Sequence, residues 1–193
     1  EIGSGLVGSE MCIRDSSMRG KFLSILASVL CVGEIAMAAV PLNSIALGGI
    51  VPGMTKGDVE RIYGSCKILH PYQYSPKSKT YFGVIGYGNS VVISMGGSSA
   101  FASSKVEMVV VSADNGFTTP EGIHVGSTKQ EVINVYGQPD FDGNHGNYGN
   151  IVVPTIRNKN IQNIMYKAAD SYEQMSFKLE NGIVTEIRMG VPL

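Results

Sequence analysis

The feature that most constrains this chain is a helix phrase written twice. GIHVGSTKQEVINVYGQPD, from Gly122 to Asp140, restates GIVPGMTKGDVERIYG, from Gly49 to Gly64, with Gly126 and Gly137 standing to Gly53 and Gly64 at one common offset. Thr55 with Asp58, and Thr128 with Glu131, are capping boxes, in which each threonine oxygen satisfies an orphan amide and each carboxylate reaches back to the cap. Val59, Ile62 and Tyr63 in one copy, and Val132, Val135 and Tyr136 in the other, fall at three-and-four spacing on one helix face. Gly64 and Gly137 stand where a helix ends, and Pro139 forbids resumption of the second. Helices of about ten residues are marginal alone, so each must dock on other structure.

That other structure is expected to be sheet. Lys79 to Tyr87, Ser90 to Met95 and Val106 to Ala113 follow the first helix, and Asn163 to Ala168, Glu173 to Leu179 and Ile183 to Met189 follow the second. All are rich in β-branched and aromatic residues. Asn181-Gly182 marks a tight hairpin, because a type I′ turn needs positive φ at both central residues. Met175, Phe177 and Leu179, with Ile183, Ile187 and Met189, alternate against Ser176, Lys178, Glu186 and Arg188, giving one buried and one wet face. The expected fold is α+β: two tandem helix-plus-three-stranded-meander repeats, residues 39–119 and 120–193, forming one antiparallel sheet of about six strands with helices on one face.

Two segments precede the repeats. Residues 1–17 have no helical or strand periodicity and resemble translated adapter read-through or a disordered head. Residues 18–38 read as a signal peptide, with Arg19 and Lys21, an apolar run from Phe22 to Val32, and an Ala36-Met37-Ala38 cleavage site. The run is shorter than the roughly twenty residues a membrane span needs. Cys31 follows Ser28-Val29-Leu30, which is not a lipobox. The expected mature chain begins near Ala39, is exported to the periplasm, cell surface or medium, and has no transmembrane segment. It carries twelve basic and twelve acidic residues, a balance that disfavours nucleic acid. Cys66 is its one cysteine, so no disulfide framework exists.

The repeated pattern, glycine, Thr-Lys, an acidic residue, valine and Tyr-Gly ahead of strands, resembles the tandem domains of the β-lactamase inhibitory protein family. It is also similar to the outer-membrane assembly domain called SmpA or BamE. The signature comprises Gly53, Thr55, Asp58, Val59, Tyr63 and Gly64, then Gly126, Thr128, Glu131, Val132, Tyr136, Gly137 and Pro139. The resemblance implies non-enzymatic protein binding or envelope assembly. A secreted inhibitor of a partner enzyme is the alternative, using a loop at Gly96 to Ser104 or Asp140 to Asn150, and a hydrolase without a recognisable motif is a third.

Site chemistry is sparse. Asp140, Asp142 and Asn144 occupy the first, third and fifth positions of a calcium loop, but His145 and Ile151 stand where glycine and glutamate are required. His70, His124 and His145 lack any nucleophile or zinc spacing, so no catalytic residue, metal or cofactor is assigned. Clustered tyrosines, Tyr72, Tyr74, Tyr81 and Tyr87, then Tyr148 and Tyr172, suit a protein surface because each joins an apolar ring to a hydroxyl, while Tyr166 lies where the sheet should meet the helix and reads as core. The expected binding group is Tyr81, Tyr87, Tyr148, Lys178, Glu186 and Arg188, with Tyr81 and Tyr87 on the sheet face opposite the helices and another envelope or extracellular protein as partner.

Overall fold

In the computed structural model the described residues are 40–77, 79–97, 103–143, 146–148, 151–153 and 160–191. The expected head, signal peptide and cleavage site, and the separate unit Glu1–Glu34, lie outside them. Both capped helices form, as α1 (Lys56–Tyr63) and α2 (Lys129–Tyr136). After α1 come β1 (Lys67–Ser75), β2 (Thr80–Tyr87), β3 (Val91–Gly97) and β4 (Lys105–Val111). After α2 come β5 (Phe141–Gly143), β6 (Gly146–Tyr148), β7 (Ile151–Val153), β8 (Ile161–Lys167), β9 (Gln174–Glu180) and β10 (Ile183–Gly190).

The expected division into two helix-plus-three-stranded-meander repeats is overturned. One antiparallel sheet of eight strands runs in the order β1-β2-β3-β4-β10-β9-β8-β5, with β6 and β7 as a separate hairpin. The sequence hides β1 because Pro71 interrupts it and bulges between Ile68 and His70 and between His70 and Gln73 break its alternation. Proline is tolerated there because an edge strand has amides that no neighbour needs. The stretch from Asp140 to Asn150, expected to be loop, instead supplies β5 and β6. The two halves join in this one sheet: β4 pairs with β10 from Val111 opposite Ile187 to Met108 opposite Gly190, and Val40 bridges Ala168. Residues Ile35–Leu193 make one compact unit.

A line of side chains across six strands shows why. Ile85, Ile93, Val109, Met189, Met175 and Tyr166 are successive cross-strand partners, and none is more than 1% exposed. Cross-strand neighbours share a face, so this line fixes the buried side of the whole sheet. Val59 of α1 and Val132 of α2 join the same cluster at 0% exposure; burying such a side chain contributes about 1.5–3 kcal/mol. Ile62 and Val135, expected on the docking face, are exposed, because each eight-residue helix meets the sheet along a narrow line.

Local signals held where they are local. In both helices the threonine hydroxyl accepts the amide of the third helical residue while that residue's carboxylate accepts the cap amide, at 2.8 Å for Asp58 and 2.6 Å for Glu131. Asn181 and Gly182 have φ of 52° and 80°, as their turn demands. Beyond that turn a bulge between Val184 and Glu186 shifts the parity, so Val184 takes the buried place expected for Ile183, which is exposed.

Candidate functional site

Burial of Ile85 decides the faces of β2. Its pairing with β3 is regular from Tyr81 to Tyr87, so Tyr81, Gly83 and Tyr87 share the helix side with Ile85, and Phe82 and Val84 point outward. The expected placement of both tyrosines opposite the helices is therefore corrected. The Tyr87 ring lies 5.6 Å from that of Tyr63, its hydroxyl donates to the Gly64 carbonyl at 2.9 Å, and burial pushes its phenol pKa up to about 12. Tyr87 is part of the seat of α1. Lys178, Glu186 and Arg188 do face outward: Glu186 stands opposite Lys178, and Arg188 Nε meets Glu186 Oε1 at 2.6 Å. The sheet itself separates those charges from Tyr81 and Tyr87. Tyr148 has its backbone in β6 opposite Ile151, and its side chain lies outside the described residues.

What the fold does bring together is an aromatic group at the tip of the β1–β2 hairpin. Tyr74 is the cross-strand partner of Tyr81, with ring centroids 5.2 Å apart, and Tyr72 stacks on Tyr81 at 5.4 Å and 15°. Gly83 makes room for this, since a Cβ there would meet the Tyr72 ring at 2.9 Å. Tyr74 is 50% exposed. Lys77 and Lys79 sit exposed in the turn just past the last pair, Ser75 with Thr80. Lys105 is exposed at the end of the row Phe82 to Gly96 to Lys105, which is on the opposite face. Further along β1, Ile68 and Leu69 are 54% and 43% exposed. Tyr72 and Tyr74 belong to the tyrosine cluster visible in the sequence, yet their register against Tyr81 is not, because β1 does not read as a strand.

Both edges of the sheet are guarded. On β1 the two bulges and Pro71 interrupt the row of free amides, and β5 at the other edge is three residues long. Such edges resist strand addition. Contacts at the β1 end therefore have to be made by side chains.

Elsewhere the polar groups have partners. Asp142 bonds Lys129 Nζ at 2.7 Å and Asp140 accepts the Lys167 amide at 2.7 Å, while Asn144 and His145 lie outside the described residues. Among the described residues no three of His, Cys, Asp and Glu gather around one point. The His124 ring meets the Val125 carbonyl at 2.9 Å, and the His70 ring meets the Pro71 carbonyl and Gln73. Glu60 accepts from Cys66 Sγ at 3.3 Å and from Lys56 at 2.5 Å; burial and that carboxylate push the thiol pKa up, away from a reactive thiolate. No described helix is long and apolar enough to cross a membrane.

No protein-family description matches the sequence, and no curated protein matches it. Among solved structures, an extracellular protein containing a SCP domain from Bacillus anthracis aligns at 11% identity with a TM-score of 0.37. The alignment covers 80% of this chain and 46% of that one.

Proposed function

We propose that this is a non-enzymatic protein-binding module of the extracytoplasmic space, exported by the segment at 18–38 and docking partners through the β1–β2 end of its sheet. The observation that carries this function is the stacked group Tyr72, Tyr74 and Tyr81, in which Tyr74 is exposed and Tyr72 and Tyr81 are half-buried, with exposed Ile68 on the same face of the same hairpin. Apolar and aromatic surface at a guarded edge is costly to leave in water and supplies anchors that lose little entropy on binding. The resemblance of the helix segments to secreted inhibitors and envelope-assembly domains supports the same class.

Site-specific photocrosslinking tests it. A photoreactive residue replacing Tyr74 or Ile68 in the exported chain is expected to trap a discrete protein, whereas the same residue at Tyr172, itself 90% exposed, is expected to trap none. Absence of any protein adduct from both Tyr74 and Ile68 removes the proposal.

A further inference from the structure

We infer that the partner at this surface presents an acidic polypeptide segment with apolar side chains between its carboxylates, an inference that rests on the protein-binding function proposed above. The overall charge balance conceals a strong asymmetry. From Lys67 to Val106 the sequence has four lysines and no aspartate or glutamate, whereas from Glu107 to Leu193 it has ten acidic and six basic residues. The fold turns this into geometry, because the lysine-only stretch is β1, β2, β3 and their turns, at one end of the sheet. Lys77 and Lys79 then flank the tyrosine group at the hairpin turn. Among the described residues the carboxylate within electrostatic reach of Tyr72 is Glu107, which is half-buried against Gly96. An uncompensated cluster of one sign selects the opposite sign and speeds its arrival.

The neighbouring groups narrow the class. Ile68 offers aliphatic surface on the tyrosine face, which complements apolar side chains and gives nothing to the hydroxyls and sulfates of a polyanionic glycan. A second copy of this chain would have to bring its own acidic edge, β5 with Asp140 and Asp142. Those carboxylates are already held by the Lys167 amide and by Lys129, and the bulged β1 blocks edge-to-edge pairing.

The test uses the full chain and a short labelled peptide in which aspartate and glutamate alternate with leucine and phenylalanine. A version with asparagine and glutamine in place of the acids, and heparin, serve as comparisons. Binding is expected for the acidic peptide alone, weaker at higher salt, about tenfold weaker in K77E/K79E and about tenfold weaker in Tyr74→Ala. Tyr172→Ala is expected to bind as the parent does. Melting curves establish that the variants fold, since Lys77 and Lys79 are exposed turn residues. Equal binding of the neutral peptide overturns the inference. So does binding of heparin that is indifferent to Tyr74, which makes the surface a glycan site, or self-association lost in K77E/K79E, which makes the partner another copy. The photocrosslink separates the two levels: an adduct at Tyr74 that survives K77E/K79E leaves the protein-binding function standing and removes the acidic partner, while no adduct in the parent removes both.

Discussion

Tyr63 and Tyr136 end two helices that open with the same cap, yet one is half-open and the other sealed. Tyr136 is 8% exposed; its ring lies 5.4 Å from Tyr166 and 5.9 Å from Phe177, and its hydroxyl donates to the Glu121 carboxylate at 2.6 Å while accepting from the Thr119 hydroxyl at 2.7 Å. Desolvation drives its phenol pKa far up. Tyr63 stacks on Phe117 at 4.9 Å, leans on Tyr87, and donates to the Gly48 carbonyl, but all three rings stay partly exposed. The difference lies in the strands beneath. Under α2, Tyr166 and Phe177 are fully buried on adjacent strands and close the seat, whereas under α1 the rings lie toward the sheet edge, where β1 is bulged and gives no cover. One half of this protein is built to be rigid and the other retains aromatic surface.

The largest test of that contrast is Phe177→Ala. It should cost about 3–5 kcal/mol in urea unfolding, as a fully buried phenylalanine does, and Tyr87→Ala should cost less than half as much. Equal losses would erase the distinction between the two seats. Next, Tyr136→Phe leaves the buried Thr119 and the Glu121 carboxylate without their phenol and should cost about 1–3 kcal/mol, while Tyr63→Phe, in a wetter site, should cost about 0.5–1.5 kcal/mol.

The caps should behave alike where the rings do not. Thr55→Ala and Thr128→Ala are each expected to remove about 1 kcal/mol, since both boxes have the same bonds. A cap effect confined to one helix would show that tertiary packing, not the cap, sets the helix start. The smallest effect is acid sensitivity. Hydrogen bonds from the Thr55 hydroxyl and amide hold the Asp58 carboxyl below its ordinary 3.8, and those from the Thr128 amide and hydroxyl hold Glu131 below its ordinary 4.5. A carboxyl with a lowered folded pKa stabilises fully above its unfolded value and loses that stabilisation as pH falls through the folded one. Stability should therefore decline below about pH 4.5 with a shallower acid limb in the Thr55→Ala, Thr128→Ala double variant; an unchanged limb would assign acid loss to other groups.

The sequence displayed the parts of the candidate site without their arrangement. Tyr72, Tyr74 and Tyr81 are legible as a tyrosine cluster, and the lysines beside them are plain in the chain. Counting charge over the whole mature chain cancelled the basic end against the acidic end, so the asymmetry vanished in the sum. Placing Tyr81 and Tyr87 on the face opposite the helices failed because the alternation of β2 has two possible parities, and only Ile85 seated in the core selects one. Lys178, Glu186 and Arg188 were correctly set outward, since Lys178 alternates with Phe177 and Leu179 and Glu186 and Arg188 alternate with Ile187 and Met189, and the bulge after Val184 brings the two alternations into register.

What the sequence determined by itself is whatever closes within a few residues: the two capping boxes, the helix stops at Gly64 and Gly137, and the hairpin at Asn181-Gly182. Each depends on a hydrogen bond three or four positions away or on the φ preference of a single residue. The tertiary structure alone decided that β1 and β5 join the sheet, that β4 pairs with β10 to fuse the halves, and that the tyrosines divide between core and surface. Those outcomes rest on bulges that shift parity and on pairings between residues far apart in the chain, where a displacement of one position moves every side chain to the other face.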